Sequence, residues 1–88
     1  MEGVLVKSRT ARARAPRATL DAGRESWETI RQAILHRMDE LERGDILEIV
    51  SQELTTYDGV TEWCWLVGHE LVDVAVNGSE ARLWIRKW

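Results

Sequence analysis

The chain has 88 residues, a net charge of −3 and one cysteine, Cys64. One domain at most fits this length, and a lone cysteine excludes an internal disulfide and a multi-cysteine zinc site. A reducing, cytoplasmic setting is therefore expected, and no apolar run approaches the length of a membrane-spanning helix. The chain has five tryptophans and no phenylalanine, so tryptophan is expected to supply the aromatic part of a small core.

The first 17 residues are predicted to form a basic, flexible arm ahead of a folded domain over residues 18–88. The arm has five basic residues and one acidic residue, and it alternates Ala and Arg around Pro16 without an apolar period. Residues 19–88 carry 14 acidic and seven basic side chains, a poor surface for nucleic acid. Any nucleic-acid contact would come from the arm, through Arg9, Arg12, Arg14 and Arg17.

The first strand and helix follow the arm. Ala18 to Ala22 is predicted as a strand that stops at Gly23. Ser26 is a favourable N-cap for the helix, and Arg43-Gly44 is predicted to end it. Its apolar residues recur at steps of three and four, as one helix face requires; they are Trp27, Ile30, Ile34, Met38 and Leu41.

A second strand and helix come next. Asp45 to Ser51 is apolar at nearly every position, as expected of a strand well inside a sheet. Leu54 to Asp58 is predicted as a loop, with Asp58 as the cap of a helix that ends at Gly68. Trp65 lies off the apolar face and is expected to be partly exposed. The apolar face of that helix consists of Val60, Trp63, Cys64 and Val67.

The last two strands form a predicted hairpin. Leu71 to Val76 and Glu80 to Lys87 flank Asn77-Gly78, a strong hairpin signal because both positions tolerate positive φ. The resulting order is β-α-β-α-β-β. It predicts a two-layer α/β sandwich, with both helices on one face of a four-stranded mixed sheet.

Residues 19–87 resemble the TusA/SirA family of small sulfur-carrier proteins. The resemblance rests on the element order, on the Gly68-His69-Glu70-Leu71 junction and on the segments Thr19–Ala22, Gly44–Val50, Trp63–Val72 and Trp84–Lys87. Members of the family carry a reactive cysteine in a C-P-x-P motif at the start of their first helix. In the matching register Trp27 occupies the position of the cysteine, and Glu28 and Ile30 occupy those of the two prolines.

The resemblance implies the fold and a relation to sulfur trafficking, but Trp27 cannot act as the sulfur acceptor. Indole is neither a nucleophile nor an acid at neutral pH. We therefore predict a non-catalytic module for protein interaction or regulation, whose partner belongs to the sulfur-transfer machinery. The partner-binding residues are predicted to be Trp27, Arg24 and Glu28, since Trp is enriched in interface hot spots. The spacing of Trp27 to Ile30 also fits a side chain that covers the core, and both interpretations stay open.

Two other functions stay open as alternatives. A sulfur carrier or sulfurtransferase could use Cys64, whereas the basic arm could contact nucleic acid although it lacks aromatic stacking platforms. Cys64 shares a helix face with Val60 and Val67 and lies beyond the first turn, so burial is expected to raise the pKa of its thiol. A small buried apolar residue is the interpretation that we favour for Cys64. Enzymatic activity is thus left undecided, and no cofactor is predicted.

The histidines and one strand glutamate complete the candidate polar residues. Neither His36 nor His69 has a second ligand at i+3 or i+4, so no metal site is predicted. His36 is expected at the surface, and His69 is expected to cap carbonyls or contact the helix end. Glu48, with apolar neighbours on both sides, is expected either to mark the end of a strand or to face an arginine such as Arg82, and a structural pair is favoured over a catalytic acid.

Overall fold

The structure, a computed structural model, describes residues 15–88. Three of the four candidate nucleic-acid residues, Arg9, Arg12 and Arg14, lie outside that range. Within it, no helix is long and apolar enough to cross a membrane. The elements follow the predicted order: β1 (Ala18–Gly23), α1 (Trp27–Glu40), β2 (Ile46–Ser51), α2 (Leu54–Val67), β3 (Glu70–Asn77) and β4 (Glu80–Arg86).

The four strands form one mixed sheet in the order β1-β2-β4-β3. β1 runs parallel to β2, while β4 pairs antiparallel with both β2 and β3. The hairpin between β3 and β4 turns at Gly78, whose φ of 65° lies in the left-handed region that glycine favours. The predicted fold class is confirmed, and β1 and β3 are the edge strands.

The main core lies between the sheet and the two helices. Because side chains alternate along a strand, β2 and β4 each send alternate apolar residues to this face, where they are buried against α1 and α2. The opposite face has a smaller cluster in which Val72 and Ala75 pack against Ile46 and Trp84. The members of the main core include Ile30, Ile34, Met38, Leu47, Ile49, Val60, Trp63, Cys64, Leu83 and Ile85.

The predicted pair of Glu48 and Arg82 is present on the face of the sheet that the helices leave open. Glu48 Oε2 accepts a hydrogen bond from Arg82 Nη1 at 3.1 Å, and Glu48 Oε1 accepts one from Thr19 Oγ1 at 3.0 Å. These bonds link β1, β2 and β4. The hydrogen bond that Arg82 donates to Glu48, followed by the one that it donates to Glu80, raises the pKa of Arg82 above its usual value. Glu48 is therefore a structural residue, as predicted.

The predicted end of α1 was wrong by a few residues. The helix ends at Glu40 rather than at Arg43-Gly44, because Leu41 has an extended backbone with φ −92° and ψ 158°. Lys87 Nζ donates hydrogen bonds of 2.7 Å to the carbonyls of Met38 and Leu41. A distant lysine thus satisfies carbonyls that a glycine cap would otherwise satisfy.

The predicted start of α2 was also wrong. The helix begins at Leu54 rather than after Asp58, because the Glu53 carboxylate accepts a hydrogen bond from the Thr55 N–H at 3.3 Å and acts as the N-cap. Asp58 lies in the second turn of the helix. Gly59 is consequently an interior residue of α2, and this position matters for the candidate site.

Thr56 provides a test of the packing at the start of α2. It is fully buried, and its hydroxyl has no hydrogen-bond partner within residues 15–88. The substitution Thr56→Val removes a desolvated hydroxyl without opening a cavity, so we expect it to raise the free energy of unfolding by about 1 kcal/mol. Denaturation in urea measures the change. The matched control is Thr55→Val at an exposed position, where the lost hydroxyl donates to Glu53 Oε2 and no gain is expected. Loss of stability in Thr56→Val would contradict the prediction.

Candidate functional site

Trp27 is the first residue of α1. Ser26 caps the helix, and its Oγ accepts a hydrogen bond from the Thr29 N–H at 3.3 Å. β1 leads into this cap through Gly23, which has a φ of 55°. The side chain of Trp27 therefore stands where backbone N–H groups and the helix dipole would favour a negative charge.

The Trp27 indole lies directly against Gly59 in the middle of α2. A Cβ atom at Gly59 would lie within 2.6 Å of three indole atoms, so a larger residue there would displace the ring. Trp27 also packs against the main core, yet it keeps an intermediate exposure. The two interpretations of Trp27 are therefore compatible: it covers the core, and part of the ring remains accessible.

A groove of about 200 Å³ runs beside Trp27, between the outer sides of the two helices. Glu62 and Leu66 follow Gly59 at steps of three and four, so the three residues share one side of α2. Leu66 is 67% exposed. The residues that line this Trp27 groove are Trp27, Arg31, Gly59, Glu62, Trp63 and Leu66. Polar and apolar surfaces both line the groove, with one charge of each sign, and the lining residues include no nucleophile.

The other two predicted partner-binding residues do not line the groove. Arg24 is exposed, and its Nε donates to Gln52 Oε1 at 3.3 Å. Glu28 is exposed in the first turn of α1, where the dipole favours a carboxylate. The structure brings Trp27 together with residues of α2 instead, and partner contacts at Arg24 and Glu28 stay a prediction.

Sequence reasoning missed Gly59, Glu62 and Leu66 as candidate site residues. With Asp58 predicted as the cap of α2, Gly59 falls in the first turn of the predicted helix. A glycine in a helix interior costs about 1 kcal/mol relative to alanine. Such a glycine often indicates close approach by another group, and this was the available signal for the contact with Trp27.

Cys64 is buried in the main core, as predicted. Its residue is 2% exposed, and it lies eleven residues beyond the N-cap Glu53, out of reach of the helix dipole. Burial raises the pKa of the Cys64 thiol to about 12. On the order of one molecule in 10⁵ would carry a thiolate at neutral pH, so Cys64 is almost entirely in the thiol form, which is a poor nucleophile.

His69 contacts the end of α2 through Trp63, one of the two alternatives predicted for it, and it also binds the backbone of Trp88. The His69 ring lies 5.4 Å from the Trp63 ring, and His69 Nδ1 accepts a hydrogen bond from the backbone N–H of Trp88 at 3.2 Å. Burial, and then the charge of Lys87, lowers the pKa of His69, so the acceptor form predominates at neutral pH. Within residues 15–88 no three His, Cys, Asp or Glu side chains are grouped as metal ligands.

Comparison of the sequence with protein-family models gives no match, and comparison with curated proteins gives no significant match. The relation to TusA/SirA therefore rests on the sequence motifs and stays a prediction. The order of helices and strands, by contrast, is observed directly.

The environment of Cys64 predicts a very slow reaction with alkylating reagents. A pKa of about 12, against an ordinary value of 9.0, reduces the thiolate fraction by about a thousandfold. We expect iodoacetamide to modify the folded chain about a thousandfold more slowly than the unfolded chain at about pH 8. A matched control is Ser79→Cys in a Cys64→Ser background, since position 79 is exposed. Similar rates for the native thiol and this control would contradict the prediction.

Proposed function

We propose that this chain is a protein-interaction module related to sulfur trafficking, which binds a protein partner at the Trp27 groove and does not itself carry sulfur. The observation that supports the proposal most directly is that Trp27 lies at the start of α1 and packs its indole against Gly59 of α2. A sulfur carrier of the TusA/SirA type would need a thiolate at that position.

The Trp27 groove has the properties of a docking site for a side chain of another protein. Tryptophans are frequent hot spots because they bury a large area and offer an N–H donor. The contact with Gly59 holds the ring in place before binding, which lowers the entropic cost of association. Arg31 and Glu62 are exposed at the groove, and opposite charges beside an apolar contact favour one orientation of the partner.

Sulfur transfer through Cys64 is not supported by its surroundings. Accepting a sulfane sulfur requires attack by a thiolate, and the thiol must reach the donor. Cys64 belongs to the main core with Val60 and Trp63, and burial raises the pKa of its thiol to about 12. Exposing the thiol would require α2 to leave the sheet, which would expose the core as well.

No observation favours the nucleic-acid alternative. Arg17 is the candidate arm residue that the structure describes, and its Nε lies 3.9 Å from Asp45 Oδ2. The described body is acidic, and phosphate binding depends on clustered cations. We therefore propose protein interaction rather than nucleic-acid binding.

Binding to a persulfide-bearing sulfurtransferase, measured by calorimetry, tests the proposal. We expect the wild-type chain to bind and Trp27→Ala to weaken binding at least about tenfold. Trp88→Ala is the matched control, because Trp88 is also a partly exposed tryptophan but lies outside the groove. Since Trp27 contributes to the core, Arg31→Glu offers a second test at an exposed residue, and it should weaken binding without loss of stability.

The same mixture distinguishes the competing functions when the donor carries radiolabelled sulfur. The proposal predicts no label on the chain. Label that appears on the wild type and disappears in Cys64→Ser would establish a sulfur carrier instead. Unchanged binding of both Trp27→Ala and Arg31→Glu would remove the groove from the interface. Failure to bind any sulfur-transfer protein would reject the link to sulfur trafficking.

A further inference from the structure

α2 carries a second exposed apolar surface, on the side turned away from the Trp27 groove. Leu54, Tyr57, Thr61 and Trp65 recur at steps of three, four and four, so they form one stripe along the helix. Leu54 is 88% exposed and Trp65 is 82% exposed. We call these four residues the α2 stripe, and no described element covers it.

β3, the edge strand on the same side of the fold, has an open edge. It pairs with β4 alone, and nothing within residues 15–88 pairs with its outer side. With eight residues β3 is the longest of the described strands, and it contains neither Lys nor Pro, residues that often protect an edge. Beyond a register shift between Leu71 and Asp73, the stretch Asp73–Asn77 pairs regularly with β4. Within it the Val74 N–H already donates to Asp73 Oδ1 at 2.8 Å, so a further strand would pair with the remaining outward-facing backbone groups of the stretch.

An apolar pocket of about 270 Å³ lies at one end of this side of the molecule, between the start of α2 and the β3–β4 hairpin. Leu54 and Tyr57 of the α2 stripe line it together with Val76, which is itself 72% exposed. Three acidic residues, Glu53, Asp58 and Glu80, also line it; the Glu53 carboxylate already accepts hydrogen bonds from Thr55, and the Glu80 carboxylate accepts one from Arg82. The pocket therefore suits a large apolar group that also carries a hydrogen-bond donor.

Trp65 is such a group, and it lies at the other end of the α2 stripe. It lies eleven positions after Leu54 in the chain, which corresponds to about 16 Å along a helix. A two-fold axis through the middle of the free β3 edge would bring the Trp65 end of the α2 stripe in each molecule to the pocket end in the other. The indole N–H is a donor without acceptor capacity, so the acidic lining of the pocket complements it.

We propose that two copies of this chain associate edge to edge through β3, and that Trp65 of each copy occupies the pocket of the other. The contact is isologous and closes at two subunits. Asp73 is the one charged residue in the stretch Asp73–Asn77, and it lies at one end of the stretch. A two-fold axis through the centre of the stretch would place Asp73 opposite the other end of the second copy's stretch, so no like charges would face each other. The interface uses the side of α2 opposite the Trp27 groove, and it stands whether or not the proposed function is correct.

Analytical ultracentrifugation of the full 88-residue chain over a concentration series tests this interface. We expect a monomer–dimer equilibrium, and we expect Trp65→Ala to raise its dissociation constant at least about thirtyfold, as loss of a hot-spot residue does. Leu66→Ala is the matched control: it also truncates an exposed apolar residue of α2, but on the groove side, and should change the constant less than about twofold. Val76→Lys, at the pocket, should weaken the dimer as strongly as Trp65→Ala.

Circular dichroism checks that the variants keep the fold, as expected for exposed positions. A chain that stays monomeric up to about 1 mM, including one that pairs β3 with a different protein, would overturn the proposal. A dimer that Trp65→Ala leaves unchanged would also overturn it. Assemblies larger than two subunits would reject the closed two-fold arrangement.

Discussion

The contact between Trp27 and Gly59 determines how the start of α1 packs on α2 and which side chain lies at the N-terminus of α1. Because Gly59 has no side chain, the indole rests against the backbone of α2, and the start of α1 is fixed above the sheet. The same contact fills the N-terminus of α1, where the fold would most readily stabilise a thiolate. An aromatic ring that borders an open groove therefore lies at this helix N-terminus.

Cys64 shows how strongly chemistry depends on position within a helix. At a helix N-terminus a thiol is exposed to oriented N–H groups, whereas Cys64 faces a core that cannot solvate its charge. The difference amounts to several pKa units for the same functional group. A chain can thus retain a cysteine and a β-α-β-α-β-β fold while lacking the electrostatic setting that would make the cysteine a sulfur acceptor.

Periodicity in the sequence predicted the fold well, because it reports which face of an element is buried. The steps among Ile30, Ile34 and Met38 placed α1, and apolar neighbours around Glu48 predicted its pair with Arg82. The helix ends were harder: α2 is capped by Glu53, a less favourable cap than Asp58. The groove escaped prediction because Trp27 and Gly59 are 32 residues apart in the chain, and only tertiary structure brings them into contact.

α2 is the element through which the two proposed surfaces are related. It turns Val60 and Trp63 to the core and Gly59 and Leu66 to the Trp27 groove, and it leaves Leu54 and Trp65 of the α2 stripe exposed. A surface helix normally buries one apolar face, whereas α2 also has apolar residues on two sides that the described residues leave uncovered. Pairing of β3 edges would cover one side with a second copy of α2 and leave the groove free. The proposed self-association and the proposed partner binding would therefore use different residues, and each could be abolished separately.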